Sequence, residues 1–215
     1  MAPFASSRGC EPATYTDGVV PDPFARSESQ ARAALDAELA RLAPRREQLG
    51  EAGVHAVAGW TLEHALEWEA AKLAWGRAIE LDPSDPASHF HLGVCLLELS
   101  DWTAAADVFR RASALDAEVN RLDWFDEDPE YRLGNALHAA GDFGGAIEAY
   151  ERSAHRNVVG VDALREAARL RILRREGREA LEVLHRLERR AVRLTVRAEV
   201  QALRAEAEAL LRAGR

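Results

Sequence analysis

The sequence predicts an all-α protein built of stacked helical hairpins, and three observations predict it. Four residue types return in order along the chain: Gly59, Gly93 and Gly134; Trp68, Trp102 and Phe143; Ala71, Ala105 and Ala146; Trp75, Phe109 and Tyr150. The first two members of every set lie 34 residues apart and the second and third lie 41 apart, a period typical of helical solenoid repeats. Within a period the apolar residues recur at helical spacing, as in Ala105, Val108, Phe109 and Ala112, with none of the alternation of a half-buried strand. Two of these patterns open on an aspartate-proline pair, Asp85-Pro86 and Asp128-Pro129. A capping carboxylate followed by a residue without an N–H suits the first turn of a helix.

Residues 1–26 are rich in Pro, Ser, Gly and Thr without periodicity and read as a flexible or loosely docked tail. Ser27-Glu28-Ser29-Gln30 has the spacing of a capping box, and Ala34, Leu35, Leu39 and Leu42 continue as a helical stripe to Pro44, giving an N-terminal helical segment over 27–51. A helix within about Arg45 to Leu66, containing Gly50, Gly53 and Gly59, becomes the first helix of the first repeat. The repeats are assigned to 52–85, 86–119 and 127–160, so that repeated structure covers 52–158 with an insertion at 120–126. The middle unit pairs a helix over Ser88 to Leu99 with a second running from about Trp102 to Leu115. The remaining 161–215 is read as a degenerate repeat and a capping helix, with helical patterns near 163–175, 178–192 and 195–213. In the last of these Val196, Val200, Leu203, Ala207 and Leu210 share one face, as expected of a helix that covers the end of a solenoid.

A hairpin this short cannot bury both apolar faces alone and has to stack on its neighbours. Gly93 and Ala105 let its two helices approach closely, while Trp102 and Phe109 fill the space around them. The chain resembles the tetratricopeptide repeat family through Leu92-Gly93, Leu96, Trp102, Ala105, Phe109 and Ala112 in the second unit. In the third the resemblance rests on Leu133-Gly134, Leu137, Gly141, Phe143, Ala146 and Tyr150; in the first, on Gly59, Leu62, Trp68, Ala71, Trp75, Ala78 and Leu81-Asp82-Pro83. Departures are Ala58 before Gly59, Leu66 and Ser100 for the interhelical glycine, Ala117 for the closing proline, and Ser153 for an alanine. Gly177-Arg178-Glu179-Ala180-Leu181 reads as a fourth unit shortened by two residues at its turn. The resemblance implies a right-handed superhelix and a role in binding proteins rather than in catalysis.

At 215 residues and 47% hydrophobic content the chain can build a sizeable core. No apolar run has the length of a membrane span, and the N-terminal residues lack the apolar stretch of a secretory signal. Cys10 and Cys95 are far apart and form no disulfide framework, so the expectation is a reducing, cytoplasmic location. Residues 1–162 carry 14 basic and 28 acidic side chains, whereas 163–215 carry 14 and 8. In that basic stretch Glu166, Glu176, Glu179, Glu182 and Glu188 interleave with the arginines, which argues against a nucleic-acid patch.

No catalytic or cofactor motif is present: there is no phosphate-cradling glycine loop, no Gly-x-Ser-x-Gly, no Cys-x-x-Cys and no His-Glu-x-x-His. His89 and His91 are two apart, which on a helix turns them to different sides and speaks against a metal pair. The histidines are accordingly expected on the surface or in a groove.

By the resemblance, the first helices of successive hairpins line a concave face. That implies groove positions at Ala56, Trp60, Glu63 and His64; at Phe90, Val94, Leu97 and Glu98; and at Tyr131, Arg132, Asn135, His138 and Ala139. Trp60 and Phe90 could instead belong to the core, whereas Tyr131, Asn135 and His138 are expected to be accessible because their polar tips are costly to bury. The family's carboxylate-gripping subclass finds Ala56, Trp60, His91, Asp128 and Arg132 at its positions, of which only Arg132 agrees. An apolar-aromatic groove suits a protein or peptide partner with hydrophobic anchors. Trp124 and Phe125, inside an acidic insertion, are either further contacts or packing residues. Self-assembly into homo-oligomers and chaperoning of hydrophobic segments are the alternative roles.

Overall fold

A computed structural model of the chain describes residues 27–119, 128–154, 160–190 and 194–213. They form α1 (Glu28–Leu42), a 3₁₀ turn (Ala43–Arg45), α2 (Arg46–His64), α3 (Trp68–Leu81), α4 (Pro86–Glu98) and α5 (Trp102–Val119). After the undescribed 120–127 come α6 (Pro129–Ala139), α7 (Phe143–Ser153), α8 (Gly160–Leu173), α9 (Gly177–Arg190) and α10 (Leu194–Ala213). Consecutive pairs α2/α3, α4/α5, α6/α7 and α8/α9 are hairpins; each stacks on the next through α3–α4, α5–α6 and α7–α8. The first helices α2, α4 and α6 also touch in turn, which places them along one side of an all-α superhelix. At its ends α1 packs on α2 and α3, and α10 packs on α9 and α8.

Local chemistry accounts for the starts and breaks. Ser27 caps α1 reciprocally: its hydroxyl accepts from the Gln30 N–H, and its own N–H donates to the Gln30 side chain at 2.9 Å. Pro44 stops α1 inside the 3₁₀ turn. Gly50, at φ 72° and ψ 168°, interrupts α2 near its start in a conformation essentially reserved for glycine. Asp85 accepts from the N–H groups of Ala87 and Ser88, and Asp128 from that of Glu130, with Pro86 and Pro129 opening α4 and α6. Helix α5 extends to Val119, four residues past the position that corresponds to the end of α3 at Leu81, so part of the lengthened period is helix.

The four hairpin turns share one geometry. Leu66, Ser100, Gly141 and Arg175 all have left-handed φ, at 59°, 61°, 83° and 63°. In each turn the N–H of that residue bonds three residues back and the following N–H five back, as in Ser100 to Leu97 and Asp101 to Leu96, closing a Schellman motif. In the first three hairpins this residue stands seven after Gly59, Gly93 and Gly134; counting back from Arg175 lands on Ala168. The fourth hairpin therefore keeps the full 34-residue spacing and a turn of full length, contrary to the reading that took Gly177 for a shortened turn. Gly177 instead opens α9, where Trp68, Trp102 and Phe143 open α3, α5 and α7. A Cβ on Gly177 would come within 2.9 Å of the Ala207 carbonyl and 3.3 Å of Leu210, so the aromatic's place is taken by α10.

Inside each hairpin a glycine meets a ring. A Cβ on Gly59 would lie 2.6 Å from Trp75, on Gly93 2.7 Å from Phe109, and on Gly134 2.5 Å from Tyr150. All three rings are buried. In the fourth hairpin the equivalent positions hold Ala168 and Leu184, both fully buried: a larger residue on the first helix and a smaller one on the second. Burial is continuous from Phe90 through Tyr150 and Leu164 to Ala207, and a second cluster joins α1 to the first hairpin through Ala31, Leu42, Val54 and Trp75.

Two outcomes follow. Gly93→Ala is expected to destabilise the chain by about 1–3 kcal/mol by overpacking, and adding Phe109→Leu should recover part of that loss; chemical denaturation of the two single variants and the double variant gives the coupling. Leu66 is largely exposed at its strained φ, so Leu66→Gly is expected to raise the unfolding free energy by about 1 kcal/mol, read from the same transitions.

Candidate functional site

Helices α2, α4 and α6 lie in contact along one side of the superhelix, and α8 is the first helix of the fourth hairpin. The residue after each hairpin's glycine turns about 100° further round its helix than the side facing the second helix. That residue is Trp60, Val94 and Asn135 in turn, and Arg169 after Ala168 in the fourth unit. Trp60 is 44% exposed, unlike the ring that faces Gly59, Trp75, at 4%. The Trp60 ring lies 4.3 Å from His64 and 5.3 Å, edge-on, from His91 of α4, so the contact bridges two adjacent first helices. His64 is exposed, and its Nδ1–H donates to the Trp60 carbonyl at 2.9 Å.

Beneath Trp60 sits a buried polar joint between the first two hairpins. His91 stacks on Trp75 at 4.7 Å with the rings nearly parallel, and its Nδ1 is 3.1 and 3.3 Å from the two Glu63 oxygens. The Trp75 indole N–H donates to Glu63 at 3.2 Å. His89 points elsewhere, with Nε2 3.1 Å from the Pro83 carbonyl. Both histidines are buried, which corrects the expectation that the histidines lie on the surface or in the groove. Among the described residues, no three His, Cys, Asp or Glu side chains gather as a metal site.

Phe90 is the clear correction among the groove residues. It is 2% exposed, edge-on to Phe109 at 5.7 Å, and belongs to the core that joins α4, α5 and α6. Helix α4 is packed by neighbours on both sides, so it buries more than one stripe. Val94 and Leu97 are half-buried against the same core. Asn135 is less free than expected of an accessible amide: its Oδ1 accepts the Tyr150 hydroxyl at 2.8 Å. Tyr131 is half-buried with its ring 5.7 Å from Tyr150, and Arg132 is half-buried beside it on α6. Burial raises the pKa of both phenols, with Asp162 and Glu166 adding to the effect at Tyr131, so both are neutral donors. His138 is exposed and packs edge-on against Phe143 at 5.7 Å. Trp124 and Phe125 lie outside the described residues.

In the fourth unit the equivalents of Tyr131, Arg132 and Asn135 are Arg165, Glu166 and Arg169, each 34 residues on. Arg169 bridges Glu166 at 2.9 Å and Glu199 of α10 at 2.5 Å; Arg165 bridges Asp162 at 2.8 Å. Glu148, Glu151 and Arg152 of α7 and Arg186 of α9 line a cleft of about 470 Å³ with no aromatic side chain among its described lining residues.

The residues that pack the first two hairpins also match a known family: residues 57–119 fit the model described as Tetratricopeptide repeat. Residues 57–119 carry tetratricopeptide repeats. Over 88 residues it is 30% identical to the small glutamine-rich tetratricopeptide repeat-containing protein 2 of Mycosarcoma maydis, a match covering 41% of this chain and 23% of that protein. The chain thus matches less than a quarter of the length of that relative.

Among solved structures, MamA superposes with a TM-score of 0.60 at 18% identity, covering 76% of this chain and 86% of MamA. YrrB, described as a tetratricopeptide protein with an unusual peptide-binding site, gives 0.57 at 19% over 84% and 90%. PilF of Pseudomonas aeruginosa gives 0.56 at 20% over 86% and 90%. At these identities the likeness establishes the fold.

The sequence set His91 at a groove position but gave no sign of its pairing with Glu63, and the fourth unit's share of the face was missed. For Arg165 and Arg169 a signal was available in the repeat itself, because the 34-residue step from Tyr131 and Asn135 lands on them. For His91 there was none, since its partner Glu63 lies 28 residues away.

Asn135→Ala is expected to cost about 1–3 kcal/mol of stability by leaving the buried Tyr150 hydroxyl unpaired. Asn135→Asp, which keeps an acceptor, should cost less, and thermal unfolding of the two variants decides.

Proposed function

We propose that this chain is a non-catalytic scaffold that holds a protein or peptide segment on the concave face of its superhelix, with Trp60 as the principal anchor. The tetratricopeptide repeats supply the general role of an interaction scaffold. The observation that carries the finer reading is the exposure of Trp60. A large aromatic side chain 44% open to solvent, on the inner side of a solenoid whose core rings are buried, loses burial that a partner can restore. His64 of α2, Leu97 of α4, and Tyr131, Arg132 and His138 of α6 extend the proposed surface. No helix among the described residues is long and apolar enough to cross a membrane.

Self-assembly through the basic C-terminal end has less support. Its arginines are engaged within the chain, Arg171 with Glu151 and Glu176, and Arg204 with Glu188, which reduces the charge left for a second copy.

Trp60→Ala combined with His64→Ala removes two exposed side chains and is expected to leave the helical circular-dichroism signal and the unfolding midpoint nearly unchanged. Affinity capture from the native source with the wild-type and the double variant tests the role. Loss of the specifically captured proteins is the expected result; the same proteins retained in the same amount would remove the concave face as the binding surface.

A further inference from the structure

We infer that the N-terminal half of the concave face, around Trp60, accepts a basic side chain, arginine or lysine, of the partner segment; this deepens the reading above and rests on it. The inner positions of the first two hairpins carry Trp60, Glu63, His64, His91 and Glu98, with two carboxylates and neither lysine nor arginine. An exposed indole face attracts a cation through its quadrupole, and an arginine guanidinium also stacks on it. Glu63 stands one turn beyond Trp60 on α2, at the spacing that makes side chains neighbours on a helix. Its carboxylate is already oriented by the Trp75 indole N–H and by His91 Nδ1. A carboxylate has about four lone-pair sites, so these two partners leave room for a further donor. A cation on Trp60 would therefore meet a fixed carboxylate without the cost of ordering it.

The surrounding field has the same sign. Residues 27–119 hold 8 basic and 16 acidic side chains. The buried Cys95 thiol is pushed upward in pKa first by burial and then by Glu63 and Glu98, with Lys72 opposing, so both carboxylates act on one region. The other end of the face differs, since Arg165 and Arg169 are already matched by Asp162, Glu166 and Glu199. An acidic segment would meet repulsion at the first two hairpins, whereas a basic one gains a ring and a carboxylate together.

The test selects a phage-displayed random-peptide library on the full chain and measures the selected peptides by fluorescence anisotropy against wild type, Trp60→Ala, Glu63→Gln, Glu98→Gln and His138→Ala. Peptides that require Trp60 are expected to contain arginine or lysine. Changing that residue to glutamine should weaken binding about 3- to 30-fold. Glu63→Gln should weaken it as well, and raised salt should reduce the affinity. Glu98→Gln changes an exposed side chain, and the peptide substitution leaves the protein untouched, so the result does not hinge on the folding of Glu63→Gln. Trp60-dependent peptides indifferent to loss of their basic residue, or enriched in acidic residues, would overturn this inference and leave the concave-face reading standing. Peptides that none of the inner-face substitutions affects would overturn both. Concentration-dependent self-association abolished by Trp60→Ala would assign the face to a second copy and likewise overturn the inference.

Discussion

The contact on which the structure depends is the approach of a glycine on each first helix to a ring on the second. With Cβ positions 2.5 to 2.7 Å from Trp75, Phe109 and Tyr150, no side chain fits at Gly59, Gly93 or Gly134 without displacing the ring. The contact fixes how near the two helices lie and which way each is rotated about its axis. Rotation in turn decides which residues face inward, which face the next hairpin and which reach solvent. The fourth hairpin shows that the constraint concerns volume more than residue type, because its equivalent positions hold Ala168 and Leu184. The last helix obeys a related rule: α10 lies against α9 where Gly177 has replaced the aromatic that opens α3, α5 and α7.

That dependence explains what could be read from the sequence. Glycine, alanine and aromatic positions return at a fixed step because the contact recurs, so the hairpins, the Asp-Pro helix starts and the stripe of α10 were all legible. Residues whose surroundings come from other units were not. Phe90 lies on a helix packed from two sides, and a single apolar stripe cannot distinguish a groove wall from an interface between hairpins. Asn135 carries the polarity of a ligand contact yet accepts a hydroxyl from the next helix. His91 is buried against a carboxylate 28 residues earlier, a pairing with no local sequence pattern. The fourth unit was misread at its turn because the residue in left-handed conformation is Arg175, while a glycine stands two positions later.

The charges serve the joints. Glu130 of α6 accepts from Ser113 of α5 at 2.6 Å and from Arg152 of α7 at 2.9 Å. Glu151 of α7 bridges Arg171 of α8 at 2.7 Å, and Glu199 of α10 bridges Arg169 at 2.5 Å. Exposed pairs of this kind contribute roughly 0–1 kcal/mol each, so their weight in stability is small. Their effect is on register, since each spans two or three helices and is satisfied in one arrangement of neighbouring hairpins. Several arginines after residue 162 are paired within the chain, Arg165, Arg169, Arg171 and Arg204 among them, while the first two hairpins keep an acidic excess.

Fold and ligand are written in adjacent residues. The glycine that admits the ring is followed by a residue the helix turns toward the inner side, and that following residue differs in every unit: Trp60, Val94, Asn135, Arg169. Three of the four are engaged by the chain itself, Val94 against the core, Asn135 by Tyr150, and Arg169 by Glu166 and Glu199. Trp60 touches two imidazoles and still leaves 44% of its surface to solvent. Arg169 is as exposed as Trp60, but its exposed part is a guanidinium paired with two carboxylates, whereas that of Trp60 is an aromatic ring. The indole bridges α2 and α4 through its two imidazole contacts, and the part of the ring they leave uncovered is the surface that the proposed partner would bury.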